Sequence, residues 1–255
     1  MSKEKNNKLT IFSHLIELRS RLIKAMIAIV ICTLISFAFA RYVFEFLLIP
    51  APDTLNPIYT EMTGFISIYM KVALMGGLIL SMPVLVYQAI MFVSPGLSRQ
   101  EKNYVYIAMP WITIMFLSGV AFTYYIMVPP VINFLLTWQG FSIFGSDTSQ
   151  IAKPMITIDN YISVVTRFIV AVGIVFETPV IITFLARIGV VKSEWLASKR
   201  RWAIVLAFVL AAIITPTFDP INQSLVAAPI IILYEMSIWL AKIASKKRAE
   251  AEAEA

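Results

Sequence analysis

The sequence predicts an all-α membrane protein with six transmembrane helices and both termini on the cytoplasmic side. Three observations carry that expectation. The chain has 255 residues and is 59% hydrophobic, with a mean hydropathy of +0.82. Its apolar residues fall into six stretches, and its Lys and Arg lie overwhelmingly at alternate boundaries of those stretches. A soluble domain of this size cannot hide so much apolar surface, so lipid is the solvent for most of it.

The stretches run roughly over residues 22–40, 65–92, 105–128, 158–186, 202–214 and 225–240. A bilayer core about 30 Å thick needs about 20 helical residues. The first four satisfy this, and the second and fourth exceed it, which predicts tilt or bending. The fifth and sixth are short. The two prolines of Thr215-Pro216-Thr217-Phe218-Asp219-Pro220 break the helix between them. A re-entrant hairpin and a spanning hairpin that thins the bilayer both fit; strong basic signals on both flanks favour the second.

Charge predicts orientation. Lys3, Lys5, Lys8, Arg19, Arg21 and Lys24 precede or open the first stretch; Arg99 and Lys102 follow the second. Arg187, Lys192, Lys199, Arg200 and Arg201 follow the fourth, and Lys242, Lys246, Lys247 and Arg248 follow the sixth. Seventeen of the 21 basic residues thus share one side, against Arg41 and Lys153 on the other, with Lys71 and Arg167 inside stretches. The positive-inside rule makes the basic side cytoplasmic. The expected organisation is a cytoplasmic N-terminal segment 1–21, a single six-helix transmembrane domain 22–241 and a charged cytoplasmic tail 242–255 ending in alternating Ala and Glu. Ala38-Phe39-Ala40 has the small-x-small form of a signal-peptidase site. Cleavage there would leave five spans and remove the Glu17 segment, and the long first stretch argues against it.

Composition excludes several chemistries. His14 is the lone histidine and Cys32 the lone cysteine, so no multi-histidine metal site or internal disulfide is expected. No phosphate-binding glycine loop, nucleophile elbow or paired-cysteine motif occurs, and no catalytic residue, metal or cofactor is assigned. No internal repeat supports an inverted-repeat transporter.

The informative polar residues lie elsewhere. Glu17 and Glu101 place carboxylates on a surface dominated by Lys and Arg. Local ion pairing with Arg19, Arg99 or Lys102 is one reading and is worth little energetically. The other makes both acids acceptors for guanidinium groups of a basic peptide, in a geometry lysine cannot reproduce, with Phe92 packing beside the ligand or anchoring at the interface. Glu177, in Phe176-Glu177-Thr178-Pro179, lies within an apolar stretch and must face protein or a water-filled cavity. Glu235 is expected to be structural, Lys71 to snorkel to the interface, and Arg167 to pair with an unidentified acid. Asp219 and Gln223 share a face if a helix starts there, Asp219 alternatively serving as an N-cap. Pro50, Pro52, Pro57, Pro129 and Pro130 are expected to bend the outer loops.

Together these segments resemble the TatC family, the multispanning receptor subunits of the twin-arginine protein translocase. The likeness runs from His14 to Leu240. It rests on His14-Leu15-Ile16-Glu17-Leu18-Arg19-Ser20-Arg21-Leu22, the Leu80-to-Gln88 run containing Pro83, Phe92-Val93-Ser94-Pro95-Gly96-Leu97, Ala121-Phe122-Thr123-Tyr124, Phe176-Glu177-Thr178-Pro179, the Asp219/Gln223 pair and Leu233-Tyr234-Glu235. It departs from the family at Thr178, where valine or methionine is common, and in the Asp219 turn.

The resemblance implies a glove-like concave bundle in a prokaryotic cytoplasmic membrane. It implies a signal-recognition surface of Glu17, Arg19, Phe92 and Glu101, an intramembrane polar point at Glu177, outer-side functional candidates Asp219 and Gln223, and structural roles for Pro50, Pro83 and Tyr124. The implied partners are twin-arginine signal peptides of folded cargo, TatA- and TatB-like single-span subunits, lipid and further copies in an oligomeric receptor complex, but no nucleic acid. The proton-motive force supplies the energy, and no nucleotide is hydrolysed. An ion-coupled transporter using Glu177, an intramembrane enzyme and a passive membrane anchor are the rivals. Missing repeats weigh against the first and missing nucleophile–base pairs against the second. The third would leave Glu17 and Glu101 dispensable.

Overall fold

The computed structural model describes residues 2–51, 63–93, 99–137, 157–215 and 220–253, and side chains within these except 2–14, 93, 99–108, 136–137 and 247–253. It is an all-helical, multi-pass bundle. Helices α1 (Ser2–Ala38), α2 (Ala40–Leu48), α3 (Gly64–Val93) and α4 (Arg99–Phe122) come first, and a π-helical segment (Thr123–Met127) joins α4 to α5 (Val128–Thr137). Next come α6 (Ile158–Phe176), α7 (Thr178–Arg187), α8 (Ser193–Ser198), α9 (Arg200–Ile214) and α10 (Pro220–Ala253). Five segments are long and apolar enough to cross a bilayer: Leu15–Ala38, Gly64–Phe92, Met109–Leu135, Ile158–Arg187 and Pro220–Lys246. The 15-residue α9 is the sixth, only about 22 Å long at 1.5 Å per residue.

Side-chain bonds define two ends of the bundle. At one, Arg21 of α1 meets Gln88 near the end of α3. At the other, α2 lies across the starts of α3 and α6. The amphipathic α2 buries Ala40, Phe44 and Leu47, and Phe44 packs against Phe65 and Tyr69 of α3, with ring centroids 6.5 and 5.6 Å away. The last carbonyls of a helix have no intrahelical donor. In α2 two of the last carbonyls accept from tyrosines of other helices: the Tyr124 hydroxyl donates at 2.6 Å to Phe46 O, which also takes the N–H of Ile49 at 3.2 Å, and Tyr161 donates to Leu47 O at 3.0 Å. Phe46 also stacks on Tyr124 at 4.3 Å. Pro50 lies just beyond the end of α2.

The third span holds a correction. Pro129 and Pro130, expected in a loop, occupy the first turn of α5. Neither can donate to the preceding turn, and each ring crowds the carbonyl four residues back. The π segment Thr123–Met127 immediately before them widens that turn. The bulge carries Tyr124, which reaches α2. The prolines thus shape a continuous span, Met109–Leu135, rather than end it. Pro83, Pro110 and Pro229 likewise lie inside α3, α4 and α10.

Glycines permit the close crossings. A Cβ on Gly119 of α4 would sit 2.6 Å from Phe176 Cγ, and one on Gly173 of α6 would sit 2.7 Å from Phe116 Cε2. Each helix therefore receives the other's phenylalanine where it has no side chain. Gly76 and Gly77 of α3 do the same for Ser36 and Thr33 of α1. At the end of α7, Gly189 adopts φ 82°; its N–H and that of Val190 close onto Ala186 O and Leu185 O, as in a helix C-cap that glycine favours.

The residue 21/22 and 241/242 boundaries expected from charge lie within the continuous helices α1 and α10. Gly119→Ala is predicted to lower stability by about 1–3 kcal/mol through overpacking against Phe176. Pairing it with Phe176→Leu should recover part of the loss, measured by thermal unfolding in detergent.

Candidate functional site

The site lies at the start of the membrane-length segment Leu15–Ala38 of α1. Glu17 and Arg21 are one turn apart on α1, so their side chains meet. Arg21 Nε donates to Glu17 Oε1 at 2.9 Å, and its Nη2 reaches the same oxygen. Arg21 Nη1 then donates to Gln88 Oε1 on α3 at 3.4 Å. The expected local partner, Arg19, is instead exposed. Both Arg21 bonds use Oε1, so Glu17 Oε2 has no partner among the described residues.

Gln88 and Phe92 are also one turn apart, near the end of α3. The Glu17–Arg21–Gln88 chain therefore holds the Glu17 end of α1 against the turn that carries half-buried Phe92. Glu101 is the third residue of α4, but its side chain lies outside the described residues. At this same end, Arg200 makes a bidentate pair with Glu235 (2.8 and 3.0 Å) between α9 and α10. This agrees with the structural role expected of Glu235. The Tyr234 hydroxyl donates to Leu196 O at 2.8 Å. The exposed Glu194 carboxyl is held below the usual carboxylate range, first by its own backbone N–H, then by the Ser193 hydroxyl and the charges of Lys192 and Lys242.

Glu177 is 1% exposed and faces protein. It occupies the junction of α6 and α7, two residues before Pro179. Neither carboxylate oxygen has a protein hydrogen bond among the described residues, although its backbone carbonyl accepts from Ile181 N at 3.0 Å. Among the described residues it is the one fully buried ionisable side chain.

At the α2 end, Gln223 Nε2 donates to Phe208 O at 2.9 Å, tying α10 to α9. Asp219 lies outside the described residues. Tyr124 and Pro50 belong to the α2 cap described above. Lys71, expected to snorkel freely, is instead held by Asp159 on α6 at 2.6 and 2.8 Å and by Ser163 Oγ at 3.1 Å. That pair engages the acid nearest Arg167 in sequence. Arg167 is exposed and has no carboxylate partner among the described residues.

Sequence reasoning missed Arg21 as the partner of Glu17, although the four-residue spacing signals it. Gln88 closes the Leu80-to-Gln88 run, but nothing local to it points to α1. The Lys71–Asp159 pair spans 88 positions and has no local signal.

The exposure of Lys71 and Asp159, 41% each, keeps their bond modest. The single changes Lys71→Met and Asp159→Leu are predicted to destabilise more than the double change, because each single leaves one charge uncompensated. Thermal unfolding of all three variants in lipid-containing micelles checks this.

The family model described as Sec-independent protein translocase protein (TatC) matches residues 13–229. A protein named Sec-independent protein translocase protein TatC from Aquifex aeolicus (strain VF5) is 40% identical over 245 residues, covering 93% of this chain and 96% of its own. One of the same name from Carboxydothermus hydrogenoformans is 36% identical over 245 residues, covering 96% and 97%. A solved structure titled Crystal Structure of Twin Arginine Translocase Receptor- TatC superposes with a TM-score of 0.76 at 40% identity, covering 91% of this chain and 99% of its own.

Proposed function

The chain belongs to the TatC family, and on that premise we propose that it is the signal-peptide receptor of a twin-arginine translocase. It is a six-span, glove-like membrane protein of a family whose role is transport, not catalysis. In this reading the Glu17 end faces the cytoplasm, as the distribution of Lys and Arg requires. The observation that carries the proposal is the Arg21 bridge from Glu17 to Gln88.

The bridge supports a receptor role in a specific way. A lone surface carboxylate on a long side chain loses rotamer entropy when it binds. Arg21 fixes Glu17 in advance through Oε1 and leaves Oε2 open to a guanidinium of the ligand. Arg21 is thus a positioning residue. Phe92, one turn beyond Gln88, offers an aromatic surface beside the bound arginine. Glu101 takes the second arginine, and Arg19 borders the site. The signal's apolar part then lies along the concave face in the direction of Glu177. Because Glu177 is buried, a ligand reaches it only when the α6–α7 bend rearranges. Recruitment of TatA- and TatB-like single-span subunits to the loaded receptor, in an oligomeric complex, completes the transport reading, with the proton-motive force as energy source.

The test is peptide affinity for the purified chain in lipid nanodiscs. Glu17→Ala and Glu101→Ala should each weaken a twin-arginine peptide by about tenfold or more, the loss of one charge-assisted bond. Arg21→Gln should weaken it less, through freed motion of Glu17. A twin-lysine peptide should bind weakly to the parent chain and respond little to either acid substitution. Equal binding of both peptides would overturn the site.

A further inference from the structure

The helical period of α6 leaves one stripe of it open. Ile158, Tyr161, Ile162, Val165, Phe168, Ile169, Val172 and Gly173 are buried. Asn160, Arg167 and Ile174 are exposed, seven residues apart and so on one face, with Ser163 and Val170 partly exposed between them. On one flank of this stripe Asp159 and Ser163 hold Lys71 of α3. On the other, Val164, Phe168 and Ala171 pack against α9 and α10. Arg167 stands in the open mouth between α3 and the α9–α10 hairpin.

Its depth is unusual for a charge with no carboxylate partner among the described residues. Arg167 lies about 12 Å below Asp159 along α6 at 1.5 Å per residue, inside the span Ile158–Arg187. A guanidinium there needs an anion or water. The described residues supply no carboxylate, because Asp159 is engaged by Lys71.

A second observation fixes what reaches it. Ile214, the last residue of α9, packs in the cluster that contains Phe168 and Val164 of α6. That cluster takes Val164, Phe168, Ala171, Val172 and Phe176 from α6, while Ile158, Tyr161 and Ile162 at the start of α6 belong to another, so the short hairpin packs along the depth of α6 that carries Arg167. Lipid beside that hairpin has protein to cover its chains only up to this level, so its headgroup is drawn down there. The Arg167 side chain, leaning toward the start of α6, points up at the same level. We propose that Arg167 is a binding site for the phosphate of a phospholipid lowered at the α9–α10 hairpin, in the mouth between α3 and the hairpin. Guanidinium and phosphate match in bidentate geometry, with charge +1 against −1.

The test places a benzophenone amino acid at Val170, one turn from Arg167, in the full chain reconstituted in phosphatidylglycerol vesicles. Expected is a lipid adduct through the headgroup or glycerol, shifting to the acyl chain in the Arg167→Gln background, with Arg167→Lys intermediate because a point charge replaces the fork. Vesicles of galactosyl diacylglycerol, which lacks phosphate, should give acyl adducts in both backgrounds. Unchanged thermal unfolding of Arg167→Gln in detergent would show that the fold persists. Headgroup adducts that survive Arg167→Gln would overturn the proposal. So would their loss on adding millimolar inorganic phosphate, which would identify a free-anion site. Crosslinking in native membranes to a partner helix in place of lipid would assign Arg167 to a protein carboxylate and equally overturn it. None of these readouts uses a signal peptide, so they stand apart from the receptor test.

Discussion

Inside hydrocarbon, a backbone carbonyl released from a helix must find its donor in the protein. Much of the α2 end answers that requirement. A short helix lying across the bundle ends with under-satisfied carbonyls: the hydroxyl of Tyr161 supplies the donor to Leu47 O, and that of Tyr124 adds a second donor to Phe46 O beside the N–H of Ile49. Tyr124 can serve because the π segment widens the turn that carries it. That widening in turn accommodates Pro129 and Pro130 without ending the span. Cap, bulge and prolines form one physical solution, which none of the three provides alone.

The opposite end is organised by charge. Arg21 is shared between the carboxylate of Glu17 and the amide of Gln88, and Arg200 clasps Glu235. Neither pair is deeply buried, so their value lies in placing groups more than in stability. In the receptor reading proposed above, this arrangement would serve binding, because a carboxylate held still beforehand spares the ligand the cost of ordering it.

Much of this was legible in the sequence. Long apolar runs between basic clusters identify the spans, since lipid thickness and the cost of burying charge leave few alternatives. The short fifth span was legible from the two prolines that follow Thr215. Glu177 was legible because an acid amid valines and isoleucines has nowhere else to go than the interior. Beyond the contact of Gln88 with Arg21, three features were not. The helix α2 is only nine residues long and merges with the first apolar run. Pro129 and Pro130 signal a break unless the compensating π turn is known. Lys71 and Asp159 are distant in sequence, and Lys71 alone looks like a snorkelling anchor. Each miss involves a partner that only the tertiary fold supplies.

The seam between α1 and α3 has a consequence of phase. Arg21 meets Gln88, Thr33 meets Gly77 and Ser36 meets Gly76. The interval from Arg21 to Thr33 on one helix equals, within one residue, that from Gln88 to Gly77 on the other. Two antiparallel rods are thus indexed against each other along their length, like teeth on facing racks. One residue inserted into α1 between Arg21 and Thr33 would leave the glycine notch engaged yet turn Glu17 about 100° around the helix axis. The azimuth of the carboxylate is therefore written into the count of residues separating it from a pair of glycines on another helix.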